Sequence, residues 1–141
     1  MIRKIQIEFT DNPNLIDNEG LGTYKDISNT EKTITVFCKN NSRTAINYAY
    51  ACLFHELYEQ RKCELDGIKE PDIDKFDAWH LKEGLDGEPG DHPKSPYRKQ
   101  HREAENIERH IIDKFGENWF EYVEKYVIPE NFKYDENYGK G

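Results

Sequence analysis

RTAINYAYACLFHELYEQRKCEL, residues 43–65, reads as one long helix with almost no side left for water. From Ala45 to Tyr58 only Asn47, His55 and Glu56 are strongly polar. A helix that is apolar nearly all round belongs at the centre of a domain, not on its surface. At 100° per residue, Ile46, Tyr50, Leu53 and Leu57 form one apolar stripe. Cys52, His55, Glu59 and Cys63 form a second on roughly the opposite side, with Glu56 at its edge. Ser42 is placed to cap the N-terminus and Gly67 to stop the C-terminus. A buried carboxylate without a partner costs several kcal/mol, so Glu56 and Glu59 each require a cation, a donor network or a metal beside them.

Upstream of this helix the periodicity is that of strands. KIQIEF (4–9) alternates, with Ile5, Ile7 and Phe9 on one side. TYKDI (23–27) is a short strand candidate, and KTITVFC (32–38) is rich in β-branched residues. The stretch between, residues 10–22, is turn-rich. Downstream, a second helix is expected over residues 70–84 after Pro71. A Gly/Pro loop follows at 85–96, then a third helix at about 96–115 and a shorter fourth at 117–127. Strands followed by helices define the α+β class. The sequence therefore predicts a short antiparallel sheet of two or three strands followed by about four helices, the first long one central and buried. We read residues 1–141 as one domain, with residues 1–40 forming the sheet, 42–128 the helical part and 129–141 a polar tail.

Composition narrows the function classes. Charged residues reach 34%, but an aromatic share of 13% argues for a packed core rather than disorder. A net charge of −8 disfavours a phosphate-backbone partner, which needs clustered Lys and Arg. No apolar run is long enough to span a membrane, and MIRKIQIEFT lacks the features of a signal peptide. The expected location is the cytoplasm. Three cysteines, Cys38, Cys52 and Cys63, cannot all pair, and no CxxC is present, so reduced thiols are expected.

The chemistry concentrates in two helices. His55-Glu56-Leu57-Tyr58-Glu59 is close to the zinc-protease pattern HExxH, with Glu59 where the second histidine would stand. On the third helix His101, Glu105 and Glu108 share a face, since offsets of four and seven align side chains. Imidazole and carboxylate are the ligands of zinc, manganese and iron, and sites between facing helices recur. A divalent metal, zinc first, with manganese and iron as alternatives, is therefore expected on His55, Glu59, His101 and Glu108. If the site is hydrolytic, the metal lowers the pKa of a bound water and Glu56 takes its proton. The rigid turn Asp91-His92-Pro93 is an additional candidate, as are Cys63, Asp77 and Glu105. Each has an ordinary reading too. An i,i+4 His–Glu pair is a common helix contact, Cys63 can be a core thiol, Asp91 a turn former and Glu105 part of a solvated face. His80 and His110 read as surface residues.

Taken together, HELYEQRKCELDGI, DKFDAW, DHPKSPYR and HREAENIER resemble a family of small bacterial and phage proteins. The shared pattern is HELxE, a cysteine four residues later, Gly-Ile, Phe-Asp, DHP, PY and HxxAxxxE, spanning residues 53–109. The resemblance implies roles for His55, Glu56, Glu59, Cys63, Asp77, Asp91, His92, His101 and Glu108; it names no reaction, and Glu105 lies outside it. A looser similarity is to zincin-type metallopeptidases, in which a strand precedes the HExxH helix. The resulting expectation is a divalent-metal-binding protein, with metal-dependent hydrolysis as its candidate activity. The alternative is a non-enzymatic phage protein that binds a host protein through an acidic, aromatic-rich surface. If the chain is phage-encoded, the relevant compartment is the host cytoplasm. A homo-oligomer is a further partner class.

Overall fold

The computed structural model describes residues 4–16 and 21–124. Strands β1 (Lys4–Thr10), β2 (Gly22–Asp26) and β3 (Glu31–Phe37) precede helices α1 (Arg43–Leu65), α2 (Glu70–Lys82), α3 (Arg98–Lys114) and α4 (Trp119–Tyr122). The α+β class is therefore as the sequence indicates. The end of the expected fourth helix and the 129–141 tail lie outside the described residues. No helix among the described residues is long and apolar enough to cross a membrane.

The sheet corrects one expectation. Its order is β1-β3-β2, with β2 antiparallel to β3 but β1 parallel to it, so the sheet is mixed rather than antiparallel. The turn-rich stretch after β1 is long enough to carry the chain past the site of β3 to the far edge. The short connection at residues 27–30 then folds β3 back between the other two. That return reverses the chain a second time, so β3 runs with β1.

Helix α1 has the boundaries its capping signals suggest. Ser42 is extended and its hydroxyl accepts from the Ala45 amide, while Gly67 takes a φ of 74° just beyond the last turn. Its buried face is the reverse of simple amphipathicity, however. Ile46 and Tyr50, from the expected apolar stripe, remain substantially exposed, whereas Cys52, His55, Glu56, Glu59 and Cys63 are buried. The helix lies over β3 and β2, and its more polar stripe faces α3. Ile34 and Val36 of β3 are fully buried beneath it, with Ala49, Ala51, Cys52 and Leu53 above them and Ile112, Tyr122 and Val123 closing the end. On α3 the buried positions are Gln100, His101, Ala104, Glu108 and Ile112, while Ile107 and Ile111 are only partly buried. The core is thus apolar at one end of the α1–α3 interface and ionic at the other.

Candidate metal centre

The ionic end is built around one carboxylate oxygen. His55 donates through Nε2 to Glu59 Oε2 at 2.9 Å, one helical turn away on α1. From α3, His101 donates through Nδ1 to the same oxygen, also at 2.9 Å. The far nitrogen of each ring meets a different carboxylate. His55 Nδ1 lies 2.8 Å from Glu108 Oε1, and His101 Nε2 lies 2.9 Å from Glu88 Oε2 and 3.6 Å from Asp91 Oδ1. Two of the carboxylates are themselves held: Tyr122 donates its hydroxyl to the outer Glu108, and Tyr24 donates to the central Glu59 through Oε1 at 3.2 Å. The two imidazoles are 4.9 Å apart in an edge-to-face arrangement.

Two glycines permit this packing. A Cβ at Gly90, in the 3-10 turn Pro89–Asp91, would stand 2.4 Å from His101 Cγ. At Gly22 of β2 a Cβ would stand 2.8 Å from Glu56 Cγ and 3.0 Å from Cys52 Sγ. Backbone is therefore pressed directly against the candidate site from both sides, and the DHP loop bears on it through its preceding glycine.

The electrostatics follow from burial and from the excess of carboxylates. Burial alone would lower the His55 pKa, but the charges of Glu108 and Glu59 reverse this and hold the imidazole protonated well above its ordinary range. His101 behaves likewise, with Asp91, Glu59 and Glu88 overriding its burial. For Glu59, desolvation is outweighed by both imidazoles, and its carboxyl stays well below the usual carboxylate range. Glu56 goes the other way: burial, reinforced by the charge of Glu59, raises it to about 8. Glu105 is raised to about 7 by burial and by Asp91 and Glu88, which places it beside the outer carboxylates.

The sequence candidates separate on this geometry. His55, Glu59 and His101 each bring one ligand atom to a common point, all within 4.8 Å of one another and all buried. Glu108 is brought to the same cluster, but on the far nitrogen of His55. Asp91, with Glu88, occupies the corresponding place behind His101, and these three form a second, more exposed ligand group. Asp77 is buried and accepts from the Tyr97 hydroxyl at 2.6 Å; Tyr97 in turn packs edge-on against His101. Cys63 is buried with Ile73 and Tyr97, and desolvation plus the nearby Glu59 charge push its thiol up to about 12. His92 is not at the cluster; its ring lies against Phe76, Trp79 and His80. His80 itself is buried, contrary to the surface reading, because the aromatic cluster on α2 closes over it, whereas His110 is exposed as expected. Tyr24 and Glu88 were not singled out in the sequence, and Tyr122 read there only as a core or dimer-contact aromatic of the fourth helix. Glu88 stands in the same Gly/Pro loop as Asp91, but no local signal marks the two tyrosines.

Comparison of the chain with family models, with curated proteins and with solved structures finds no match.

Proposed function

We propose that the chain binds one divalent metal ion, zinc in the first instance and manganese or iron as alternatives, through His55 Nε2, Glu59 Oε2 and His101 Nδ1. The observation that carries this reading is the shared plan of the two histidines. Each imidazole turns one nitrogen to the same Glu59 oxygen and has its other nitrogen fixed by a separate carboxylate, Glu108 or Glu88. Metal-ligating histidines have this carboxylate–imidazole arrangement, which sets tautomer and ring orientation. In this reading Glu108 orients His55 instead of binding the ion. The two contacts to Glu59 Oε2 are compatible in size: atoms on a tetrahedral centre at about 2.0–2.1 Å lie about 3.3 Å apart, so these 2.9 Å contacts would open by about 0.4 Å, with the two nitrogens within 4.8 Å of each other. On binding, His55 Nε2 and His101 Nδ1 give up their protons while the far nitrogens keep theirs. Tyr24 holds the other oxygen of Glu59 and thereby directs Oε2 inward.

Two imidazoles and one carboxylate with a coordination position left over is a catalytic rather than a structural donor set, and the activity proposed is hydrolysis. The ion, when bound, would supply Lewis-acid polarisation and activation of water. Glu56 is the residue to which we assign the proton transfer, because it adjoins His55 on α1 and lies against Gly22 of β2. A cleft of about 510 Å3 lined by Tyr24, Lys32, Gln60, Cys63, Ile68 and Glu70 adjoins the cluster through Tyr24, although neither the three ligands nor Glu56 line it. The test is substitution with metal analysis. His55→Ala and His101→Ala should each lose bound zinc and the thermal stabilisation that zinc confers on wild type. Glu56→Gln should retain the metal. If wild type purifies without metal and a chelator leaves its melting temperature unchanged, the cluster is a buried ion-pair network and the proposal fails.

A further inference from the structure

Among the described residues, β1 is an edge strand paired on one side only. Every residue from Lys4 to Phe9 is exposed, although the strand is regularly paired with β3 along one edge. Its register sets Ile7 beside Ile34 and Phe9 beside Val36, so Ile5, Ile7 and Phe9 extend the face that is fully buried on β3. α1 does not extend over them. It presents Ile46, Tyr50 and Phe54 along the same border, and Phe9 meets Tyr50 with ring centroids 5.7 Å apart. These six apolar side chains are each between 37% and 45% exposed. A contiguous apolar strip beside an open strand edge marks an interaction surface.

The hydrogen-bond parity of β1 states what can add to that edge. The Lys4 amide donates to Thr30 and the Thr10 carbonyl accepts from Cys38, so even-numbered residues direct their backbone groups toward β3. The amides and carbonyls of Ile5, Ile7 and Phe9 therefore point outward. An antiparallel partner must offer residues of the same parity opposite them. The strip Lys4-Ile5-Gln6-Ile7-Glu8 meets this condition with its own copy. With a two-fold axis through Gln6, Ile5 stands opposite Ile7 of the second copy in a hydrogen-bonded pair, and Lys4 stands opposite Glu8 of the second copy, twice by symmetry. Although the whole chain carries a charge of −8, this strip is neutral and self-complementary. Placing the axis on Ile7 instead would set Glu8 opposite Gln6 and leave Lys4 without an opposite charge.

We propose that the partner of this edge is a second copy of the chain, joined β1 to β1 in antiparallel register about Gln6. The result is a six-stranded sheet whose central Ile5, Ile7 and Phe9 side chains from both copies are enclosed between the two α1 helices. This inference is independent of the metal, since no proposed ligand lies on β1. Sedimentation equilibrium of the full chain from micromolar to several hundred micromolar tests it. Wild type should show a concentration-dependent dimer. Lys4→Glu and Glu8→Lys should each weaken it by about tenfold at low salt, because symmetry converts two attractions into two repulsions. The double exchange Lys4→Glu/Glu8→Lys should restore the dimer to within about threefold of wild type. Hydrogen exchange on wild type adds a readout that needs no variant. The Ile5 and Ile7 amides should be protected in concentrated solution and exposed on dilution, while those of Lys4, Gln6 and Glu8 stay protected in both. A wild type that is monomeric throughout, a double exchange no better than the single ones, or exchange of Ile5 and Ile7 that ignores concentration would each overturn the proposal.

Discussion

Gly90→Ala tests how tightly the loop and the histidine cluster are joined. Gly90 is not at a positive φ, so alanine meets no backbone penalty there and its effect is steric. The added methyl would lie 2.4 Å from His101 Cγ and 2.6 Å from Nδ1, against an ordinary contact near 3.5–4 Å, an overlap of about 1 Å. Usually a side chain that close would swing aside. His101 cannot, because Glu59 and Glu88 hold its two nitrogens at 2.9 Å on opposite sides of the ring. The turn must move, or one of those contacts must break. Overpacking of this kind costs about 1–3 kcal/mol, and the doubly held ring places Gly90→Ala toward the upper end of that range. Urea titration of wild type and variant would measure it. Gly116→Ala is the comparison, since its φ of 78° strains alanine while no atom lies within 4 Å of the new methyl. It should lose about 1–2 kcal/mol of stability without any change in zinc affinity. Gly90→Ala should lose both. A loss under about half a kcal/mol with unchanged zinc binding would refute the reasoning, because the turn would then not be pressed against the ring.

Asp77 supplies a pH dependence. Burial raises its carboxyl from an ordinary 3.8 to about 6, against the Tyr97 hydrogen bond that pulls it down, so the native state holds the proton more tightly than the unfolded chain. Its contribution is therefore complete below about pH 4 and is lost as pH rises through 6, by roughly 3 kcal/mol at 1.36 kcal/mol per unit. Asp77→Asn, whose carbonyl still accepts from Tyr97, should be up to that much more stable than wild type at pH 8 and equal to it near pH 4, as read by denaturant titration across that interval. Tyr122→Phe removes the hydroxyl that anchors Glu108 and should weaken zinc binding about 10–100-fold by calorimetry while the protein stays folded. Thr35→Ala, on the sheet face turned away from α1, should leave zinc binding unchanged; loss of zinc there would mean that the site is misplaced.

What could be read from the sequence was what neighbouring residues decide. Ser42 and Gly67 bracket α1 because caps act within four residues of a helix end. The His55–Glu59 pair follows from the one-turn spacing, and the placement of His101 on the inner face of α3 follows from its offset of seven from Glu108. The pairing of β1 was not legible, because alternation identifies a strand's two faces but not its neighbour or direction. For the same reason alternation puts Ile5, Ile7 and Phe9 on one side without saying what covers them, and the helix that covers Ile34 and Val36 does not extend to them. On α1, hydrophobicity pointed to burial on nearly every side, yet Ile46, Tyr50 and Phe54 remain exposed. The ion pairs across to α3 compensate burial of the opposite stripe, and such compensation is invisible until the partner helix is in place. Tyr24, Glu88 and Tyr122 come from three separate segments and meet the cluster only through the tertiary fold.

X-ray absorption spectroscopy of the full chain, prepared without a polyhistidine tag and loaded with one equivalent of zinc, tests the metal centre most directly. The account predicts a shell of nitrogen and oxygen at about 2.0–2.1 Å with the outer-ring signature of two imidazoles. It predicts no sulfur, since Cys63 packs with Ile73 and Tyr97 and does not belong to the group formed by His55, Glu59 and His101. Failure of the protein to hold zinc, or a sulfur ligand at about 2.3 Å, would contradict it.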